Sequence, residues 1–288
     1  MIECIIGLIK LINLVGSQFL IFAIRKPNFM QSILYEGLKR TDATTTKIND
    51  FLVVEAPLEI SINQSSFTVV MRTPGNDFEL IRGLLHAEDI YRSKEHPKME
   101  VVSHTPNAFT KIEVTIPKEQ LGNGYMNKRS LLSVSSCGIC GKQQLDDFKV
   151  PNAKLRNQHQ IDLEKLPEMF AIMSEHQQTF SLTGGSHAAV VFSESYEFLT
   201  LKEDIGRHNA VDKCIGDLIQ SDRLKLATFM LVSGRVSYEI ITKAFFAKIS
   251  TIVAVSACSS LAVDYAKEFG ICLIGFSRDN KATIYSTN

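Results

Sequence analysis

Neither sign of charge prevails in this 288-residue chain, since 31 lysines and arginines balance 31 aspartates and glutamates. A zero net charge gives no support for a protein that binds nucleic acid or acidic surfaces, and no nucleic-acid partner is expected. Hydrophobic residues make up 45% of the chain. That share is enough for a sizeable core in one large domain or two modest ones.

The chain also lacks the cysteine content of a disulfide framework. Its six cysteines are Cys4, Cys137, Cys140, Cys214, Cys258 and Cys272. Four of them lie singly in apolar or strand-like surroundings, which is typical of a reduced cytosolic protein. Cys214, Cys258 and Cys272 are therefore predicted to be small core or loop residues.

Two glycine-rich phosphate-binding motifs are absent, the G-x-G-x-x-G fingerprint and the Walker motif. Their absence argues against a hydride cofactor and against an NTPase. The pattern that is present predicts two domains. Residues 51–150 are predicted to form a β-rich (α+β) domain. Its first two strands lie in LEISI and FTVVM, and a second strand pair flanks the turn at Thr105-Pro106-Asn107. A helix between the two pairs starts at Asp77, with Asn76 or Asp77 as its cap. No strand is predicted before residue 51.

Residues 151–160 are polar and without periodicity, and they are predicted to be a linker. Residues 161–288 then alternate strands with helices, after a first helix that Asp162 would cap. This order predicts right-handed crossovers and a mostly parallel sheet with helices on both faces.

Residues 5–24 are apolar and about long enough to cross a bilayer, although Lys10 and Asn13 interrupt them. Two interpretations stay open. The segment is either a tether, with the basic residues after it holding the body on the cytoplasmic side, or the result of a start placed too early, with Met30 as the true start.

Polar loops follow four of the predicted strands, and parallel strands bring such loops to one edge of a sheet. The four loops contain, in order, Arg207 and His208; Arg235; Ser256 to Ser260; and Ser277 to Lys281. Helix N-termini at the same edge favour anions, and arginine can bind phosphate through two hydrogen bonds. The sequence therefore predicts a pocket for a phosphorylated or nucleotide-like ligand, with His187 and His208 at the ends of elements nearby.

The stretch SSCGICG places Cys137 and Cys140 two residues apart. Three chemistries use this spacing: half of a zinc site, a redox dithiol, or a thiolate that carries another group. A zinc site needs four ligands and usually two such pairs, and a redox dithiol is expected at a strand-to-helix turn. The glycine- and serine-rich context suits a mobile thiolate better, but all three remain candidates.

Seven segments resemble, in order, the formate dehydrogenase accessory sulfurtransferase family (FdhD/NarQ). They are VVEAPLEISIN, SCGICG, LTGGSHAAVVF, EDIGRHNAVDK, VSGRVSYEIITKA, AVSACSSLAVDYA and LIGFSRDNKATIYS. The resemblance runs from about residue 52 to the end, so residues 1–50 are treated as an extension outside the family.

The resemblance implies a C-terminal cytidine-deaminase-like three-layer α/β domain and a smaller β-rich domain. It also implies a sulfurtransferase that takes sulfur from a cysteine desulfurase as a persulfide on Cys137, with Cys140 beside it. The recipient would be the bis-molybdopterin guanine dinucleotide cofactor of molybdenum, for use by formate dehydrogenase. The residues expected to bind that cofactor are Phe276, Ser277, Arg278, Asp279, Asn280, Lys281, Arg235, His208 and Arg207.

No tightly bound metal is expected, the location is expected to be cytoplasmic, and the size of the ligand favours a homodimer. The fold alone does not predict deamination. That chemistry uses H-x-E with P-C-x-x-C at the sheet edge, whereas here His208 is followed by Asn209 and Ala210, and P-C-x-x-C is absent. Two other classes remain as alternatives: a zinc-stabilised binding module, and a nucleotide hydrolase or deaminase-like protein.

Overall fold

The structure is a computed structural model that describes residues 31–126, 154–155, 160–278 and 281–287. The strands are β1 (Ser32–Arg40), β2 (Thr45–Val53), β3 (Ala56–Ile62), β4 (Ser65–Arg72), β5 (Lys98–His104), β6 (Thr110–Thr115), β7 (His187–Phe192), β8 (Phe198–Asp204), β9 (Phe229–Val232), β10 (Thr251–Ala254), β11 (Cys272–Arg278) and β12 (Lys281–Ser286). The helices are α1 (Asp77–Ala87), α2 (Asn123–Met126), α3 (Leu166–His176), α4 (Gln178–Thr183), α5 (Arg207–Gln220), α6 (Tyr238–Ala247) and α7 (Ser260–Phe269).

A four-stranded sheet in the order β4-β3-β6-β5 forms the N-terminal half, and α1 packs against it. Its shared core is apolar and includes Leu58, Ile60, Leu80, Leu85 and Val114. The predicted strand pairs and the helix between them are confirmed. Asn63 and Gln64 join β3 to β4 with φ angles of 50° and 67°, as in the two-residue turns whose twist matches a hairpin.

The expectation that no strand precedes residue 51 is wrong. β1 and β2 pair as an antiparallel hairpin with Ser32 opposite Val53 and Arg40 opposite Thr45. Both strands mix apolar and polar side chains on each face, so they lack the period-two alternation that identifies a half-buried strand in a sequence.

The C-terminal half is built on a six-stranded sheet in the order β12-β11-β10-β9-β7-β8. Only β9, β10 and β11 are neighbouring parallel strands, whereas β7 is antiparallel to β8 and β9, and β12 is antiparallel to β11. The prediction of a mostly parallel sheet is thus only partly correct. The connections from β7 to β8 and from β11 to β12 are short, and a short connection can join only antiparallel strands.

Helices cover both faces of this sheet, as predicted. Helices α5, α6 and α7 share one apolar core with it, and α3 shares a second core on the opposite face. Asp162 caps the turn that precedes α3, because its Oδ1 accepts a hydrogen bond from the backbone N–H of Glu164 at 2.9 Å. The chain then bends at Gln177, so the predicted single helix is two helices, α3 and α4.

The two halves meet where α1 crosses α5. Gly83 on α1 lies against the backbone of Asp212, and Gly216 on α5 lies against the backbone of Glu79. A Cβ at either glycine would collide with the facing helix, so this close crossing depends on both residues.

Within the described ranges, no helix combines the length and the apolar character needed to cross a membrane. The apolar segment 5–24 lies outside the described residues. Of the predicted linker 151–160, the structure describes residues 154, 155 and 160, and the N–H of Leu155 donates to the carbonyl of Phe269 at 2.7 Å.

Candidate functional site

One edge of the six-stranded sheet collects the polar loops. Strands β8, β9, β10 and β11 end at this edge, and β7 and β12 begin there, as their pairings require. Helices α5, α6 and α7 begin directly after the loops that leave β8, β9 and β10. Six strands span roughly 24 Å across such an edge, and the positive ends of three helix dipoles point towards it.

The first group at this edge consists of His187, Arg207 and the loop from Ser233 to Arg235. A Cβ added to Gly234 would lie 3.2 Å from both the Cβ of Arg207 and the Nδ1 of His187. Burial, followed by the charges of Arg207 and Arg235, lowers the pKa of His187. The Nε of Arg207 is buried without a hydrogen-bond partner among the described residues, and Arg235 is exposed. The group therefore favours an anion.

His208 belongs to a second group, together with Ser237 and Glu239, where α5 and α6 begin. The Nε2 of His208 lies 2.9 Å from the Oγ of Ser237 and 3.7 Å from a carboxylate oxygen of Glu239. The side chains of His208 and Glu239 are only 8% and 10% exposed. This histidine is thus held in a nearly buried polar cluster that joins two helix N-termini.

A cavity of about 920 Å³ opens on the opposite face of the sheet, beside the N-terminus of α3. The side chains that line it are Leu163, Glu164, Leu166, Pro167, Phe170, Val255, Ser277, Arg278, Lys281 and Ala282. Arg278 and Lys281 pair across β11 and β12 and place two cations on one wall. The volume lies within the range of small-molecule sites.

The segment before Arg278 has an unusual backbone. Phe276 adopts a φ of 51° and is 44% exposed, whereas Ser277 is only 4% exposed. The pairing of β11 with β12 shifts register between Gly275 and Arg278, so this bulge turns Arg278 towards the cavity. Asp279 and Asn280, which the sequence also predicted as ligands, lie outside the described residues.

The predicted site residues therefore lie at one edge but not in one described pocket. Ser277, Arg278 and Lys281 line the cavity, whereas Arg207, His208 and Arg235 are absent from its described lining. The two sets flank opposite faces of the sheet, which strand order alone does not reveal.

Sequence reasoning missed a buried polar network within EDIGRHNAVDK. The Nζ of Lys213 lies 2.7 Å from the Oδ2 of Asp204, and both side chains are 0% exposed. Asp204 also accepts hydrogen bonds from the N–H of Thr73 at 3.1 Å and from the Nδ2 of Asn209 at 2.8 Å. Lys213 in turn donates to the carbonyl of Thr73 at 2.8 Å. These contacts tie the N-terminal half to the start of α5.

Signals for this network exist in the sequence. Asn209 and Lys213 lie four residues apart, on the helix face that also carries apolar residues such as Ala210 and Cys214. A charged residue on an apolar helix face is expected to be buried with a partner rather than solvated.

The described cysteines behave as predicted for core or loop residues. Burial raises the pKa of Cys214 to about 12 and the pKa of Cys258 and of Cys272 to about 11. A thiol with so high a pKa is a poor nucleophile at neutral pH. Cys137 and Cys140 lie outside the described residues.

No cluster of three or more histidine, cysteine, aspartate or glutamate side chains suited to a metal ion occurs in the described part of the chain. The cysteine pair on which the zinc alternative depends is not in that part.

These features define a mixed α/β protein with a cation-lined cavity at the edge of its larger sheet. The chain belongs to the FdhD/NarQ family, whose family model matches residues 53–288, and the resemblance drawn from the motifs is thereby confirmed.

Curated relatives agree along most of their length. The sulfur carrier protein FdhD of Sulfolobus acidocaldarius is 37% identical over 249 residues, covering 86% of this chain and 94% of the relative. The protein of the same name from Mycolicibacterium paratuberculosis is 39% identical over 249 residues, covering 82% and 89%.

A solved structure shares the fold. It is described as a formate dehydrogenase accessory protein from Desulfotalea psychrophila, and it superimposes with a TM-score of 0.68 at 19% identity. The match covers 90% of this chain and 98% of the solved chain.

Proposed function

We propose that this protein is a sulfur carrier that supports formate dehydrogenase, acting as a sulfurtransferase through a persulfide on Cys137. The observation that carries the proposal is membership of a family whose curated relatives are named sulfur carrier proteins, in a chain that contains the SSCGICG motif. Burial raises the pKa of Cys214, Cys258 and Cys272, so these three thiols are poor sources of a reactive thiolate. Of the other three cysteines, Cys137 and Cys140 lie in the motif that the family resemblance identifies, whereas Cys4 precedes the residues that the family model matches.

Loading is a thiolate exchange. The thiolate of Cys137 attacks the outer sulfur of a persulfide on a cysteine desulfurase. The bond between the two sulfurs of the donor breaks, the donor cysteine leaves as a thiolate, and Cys137 keeps the transferred sulfur as a persulfide.

Release needs two electrons, because the outer sulfur of a persulfide must leave as sulfide. Cys140 can supply them: its thiolate attacks the inner sulfur on Cys137, sulfide departs, and a Cys137–Cys140 disulfide remains. A dithiol reductant then restores both thiols. The departing sulfide replaces an oxygen ligand of molybdenum in the bis-molybdopterin guanine dinucleotide cofactor, which is the substrate that receives it, and that oxygen leaves with two protons as water.

The cavity at the sheet edge is the proposed binding site for a guanine nucleotide of that cofactor. Its volume of about 920 Å³ accommodates a nucleotide, and Arg278 and Lys281 offer two cations for the phosphates. The N-terminus of α3 contributes a favourable dipole. The carboxylate of Glu164 in the same lining opposes an anion, so the phosphates are expected on the side of Arg278 and Lys281.

The group of His187, Arg207 and Arg235 offers a second place for negative charge on the other face of the edge. In the proposal it receives a more distant part of the large bis-nucleotide substrate, with His208 positioning the start of α5. Helices on both faces of the six-stranded sheet support the assignment of the C-terminal half as cytidine-deaminase-like. In the proposal, the edge of this sheet binds the purine and needs no zinc.

The proposed partners are a cysteine desulfurase and formate dehydrogenase, and the proposed location is the cytoplasm. A chain that starts at Met30 is expected to be soluble and active. Recovery of the full-length chain only in the membrane fraction, together with an inactive truncated chain, would instead support a tether through residues 5–24.

The test is intact-mass measurement after incubation with a cysteine desulfurase and cysteine. Wild type and the matched control Cys258→Ala are expected to gain the mass of one sulfur atom, and Cys137→Ala is expected to gain none. Cys140→Ala should load sulfur but release it slowly. Sulfur gain by Cys137→Ala, or stoichiometric zinc in the purified protein, would contradict the proposal.

A further inference from the structure

His187 lies at the edge of the larger sheet with one of its two ring nitrogens held by the protein. It is the first residue of β7, and its Nδ1 lies 3.4 Å from the Oγ of Ser233. That hydroxyl can donate to Nδ1 of a neutral ring or accept from Nδ1–H of a charged ring, so both charge states fit here. No hydrogen-bond partner for Nε2 is found among the described residues, which leaves this nitrogen for a ligand.

Arg207 lies beside this ring, at the first residue of α5. The backbone of Gly234 touches both side chains, since a Cβ added there would lie 3.2 Å from the Nδ1 of His187 and 3.3 Å from the Cδ of Arg207. The Nε of Arg207 is buried without a hydrogen-bond partner in the described part of the chain. A buried donor without a partner is costly, which indicates that a ligand completes the group.

The charges around His187 are mostly positive. Burial is the largest cause that lowers the pKa of His187, followed by the charges of Arg207 on α5 and Arg235 in the loop before α6. Asp204 on β8 raises this pKa, but its carboxylate is paired with Lys213 at 2.7 Å. The ring is therefore expected to be neutral at neutral pH when no anion is bound at this edge.

We propose that the group of His187, Arg207 and Arg235 binds its anion together with one proton, which His187 takes up from solvent. The charged imidazole then donates from Nε2–H to the anion, next to the Nε–H of Arg207. The ligand class is a phosphate or pyrophosphate diester, whose charge does not change near neutral pH. The inference deepens the proposed function, on which it rests for the identity of the substrate, whereas the anion site itself follows from the contacts above.

The anion reverses the electrostatic balance around the ring. Its charge offsets Arg207 and Arg235, which removes two of the causes that lower the pKa of His187, so this pKa rises on binding. Because the bound form holds more protons, the affinity must strengthen as the pH falls from about 8 towards 5, until the unbound ring is also protonated. A full charge about 5 Å from a dianion is worth roughly tenfold in affinity, even at the dielectric constant of water.

The cavity on the other face of the sheet provides an internal reference. Its described lining contains Arg278 and Lys281 but no histidine. Neither cation changes its charge between about pH 5 and 8. Anion binding in the cavity is therefore expected to lack this pH dependence.

The test uses sulfate, a tetrahedral dianion over this pH range that is not a source of transferable sulfur. The imidazole NMR signals of the full-length protein are followed from about pH 5 to 8 in sulfate and in chloride at equal ionic strength, so that the charges of Arg207 and Arg235 are screened equally. The signal of His187 is assigned through its backbone. We expect the pKa of His187 to be higher in sulfate, and the affinity for sulfate to rise roughly tenfold towards low pH.

Three variants separate the proton from the fixed charges. His187→Gln keeps a hydrogen-bond donor but cannot take up a proton, so its affinity for sulfate should be nearly independent of pH. The matched control is His176→Gln, which removes an exposed histidine of the same half and should keep the pH dependence of wild type. Arg207→Gln should weaken sulfate binding at every pH, because a guanidinium does not titrate in this range.

Two results would overturn the proposal: a pKa of His187 that is the same in sulfate and in chloride, and a His187→Gln variant whose affinity still rises as the pH falls. The first readout uses wild type alone and does not depend on how the variants fold. No sulfur donor is present, so the two proposals can fail separately. Failure of sulfur loading on Cys137 would contradict the carrier function and leave the proton-coupled site standing, and the reverse holds for the sulfate result.

Discussion

Replacing Lys213 with methionine separates a structural role of the EDIGRHNAVDK motif from a catalytic one. Lys213 and Asp204 form an ion pair at 2.7 Å with both side chains 0% exposed. The variant leaves the Asp204 carboxylate buried without its cation. Breaking a buried pair in this way costs about 3–5 kcal/mol. For a domain of this size, that loss lowers the melting temperature by roughly 6–20 °C.

The assay is urea unfolding followed by circular dichroism, with Lys98→Met as the matched control. Lys98 pairs with Glu100 at 2.8 Å, but these side chains are 68% and 60% exposed, so the control should lose under about 1 kcal/mol. The double variant Asp204→Asn, Lys213→Met should lose less than the sum of the single variants, because the remaining partner is no longer charged. An unchanged free energy of unfolding for Lys213→Met, with sulfur transfer abolished, would refute the structural role.

Two further predictions concern the cavity and the pH dependence of stability. Arg278→Ala should weaken calorimetric binding of guanosine diphosphate about ten- to hundredfold, whereas Arg235→Ala, outside the described lining of the cavity, should change it less than threefold; equal effects would contradict the division of the edge. Burial lowers the pKa of His86 to about 4, so the unfolded chain binds the proton first and stability should fall as the pH drops from 6.5 towards 4. His86→Gln should flatten that dependence in thermal unfolding, and an unchanged slope would assign it to other groups.

Elements with strong local signals were predictable from the sequence. The strand pair joined by Asn63 and Gln64 combines apolar runs with turn residues, and the structure places the turn at these two positions. The sequence offered Asn76 or Asp77 as the N-cap of α1, and the structure has Asn76 there, although its side chain makes no capping hydrogen bond to the backbone. Such features depend on residues that are neighbours in the sequence, so one sequence is enough to predict them.

The features that the sequence could not predict depend on contacts between residues far apart in the chain. Lys213 reaches the carbonyl of Thr73, which is 140 positions away, and no periodicity encodes that contact. Arg278 lies on one face of the sheet, and Arg207 and Arg235 lie on the other. The bulge at Phe276 determines the face on which Arg278 lies. The β1–β2 hairpin was missed because neither of its faces is buried, so its sequence carries no apolar–polar alternation.

The central claim is that sulfur carried on Cys137 reaches formate dehydrogenase. The most direct measurement loads the protein with isotopically labelled sulfur through a cysteine desulfurase and then mixes it with formate dehydrogenase prepared from cells that lack this protein. Label and formate oxidation are followed in the same sample. We expect both to rise together with wild type and neither to rise with Cys137→Ala. Restored oxidation with Cys137→Ala, or activity that rises while the label stays on the chain, would contradict the account.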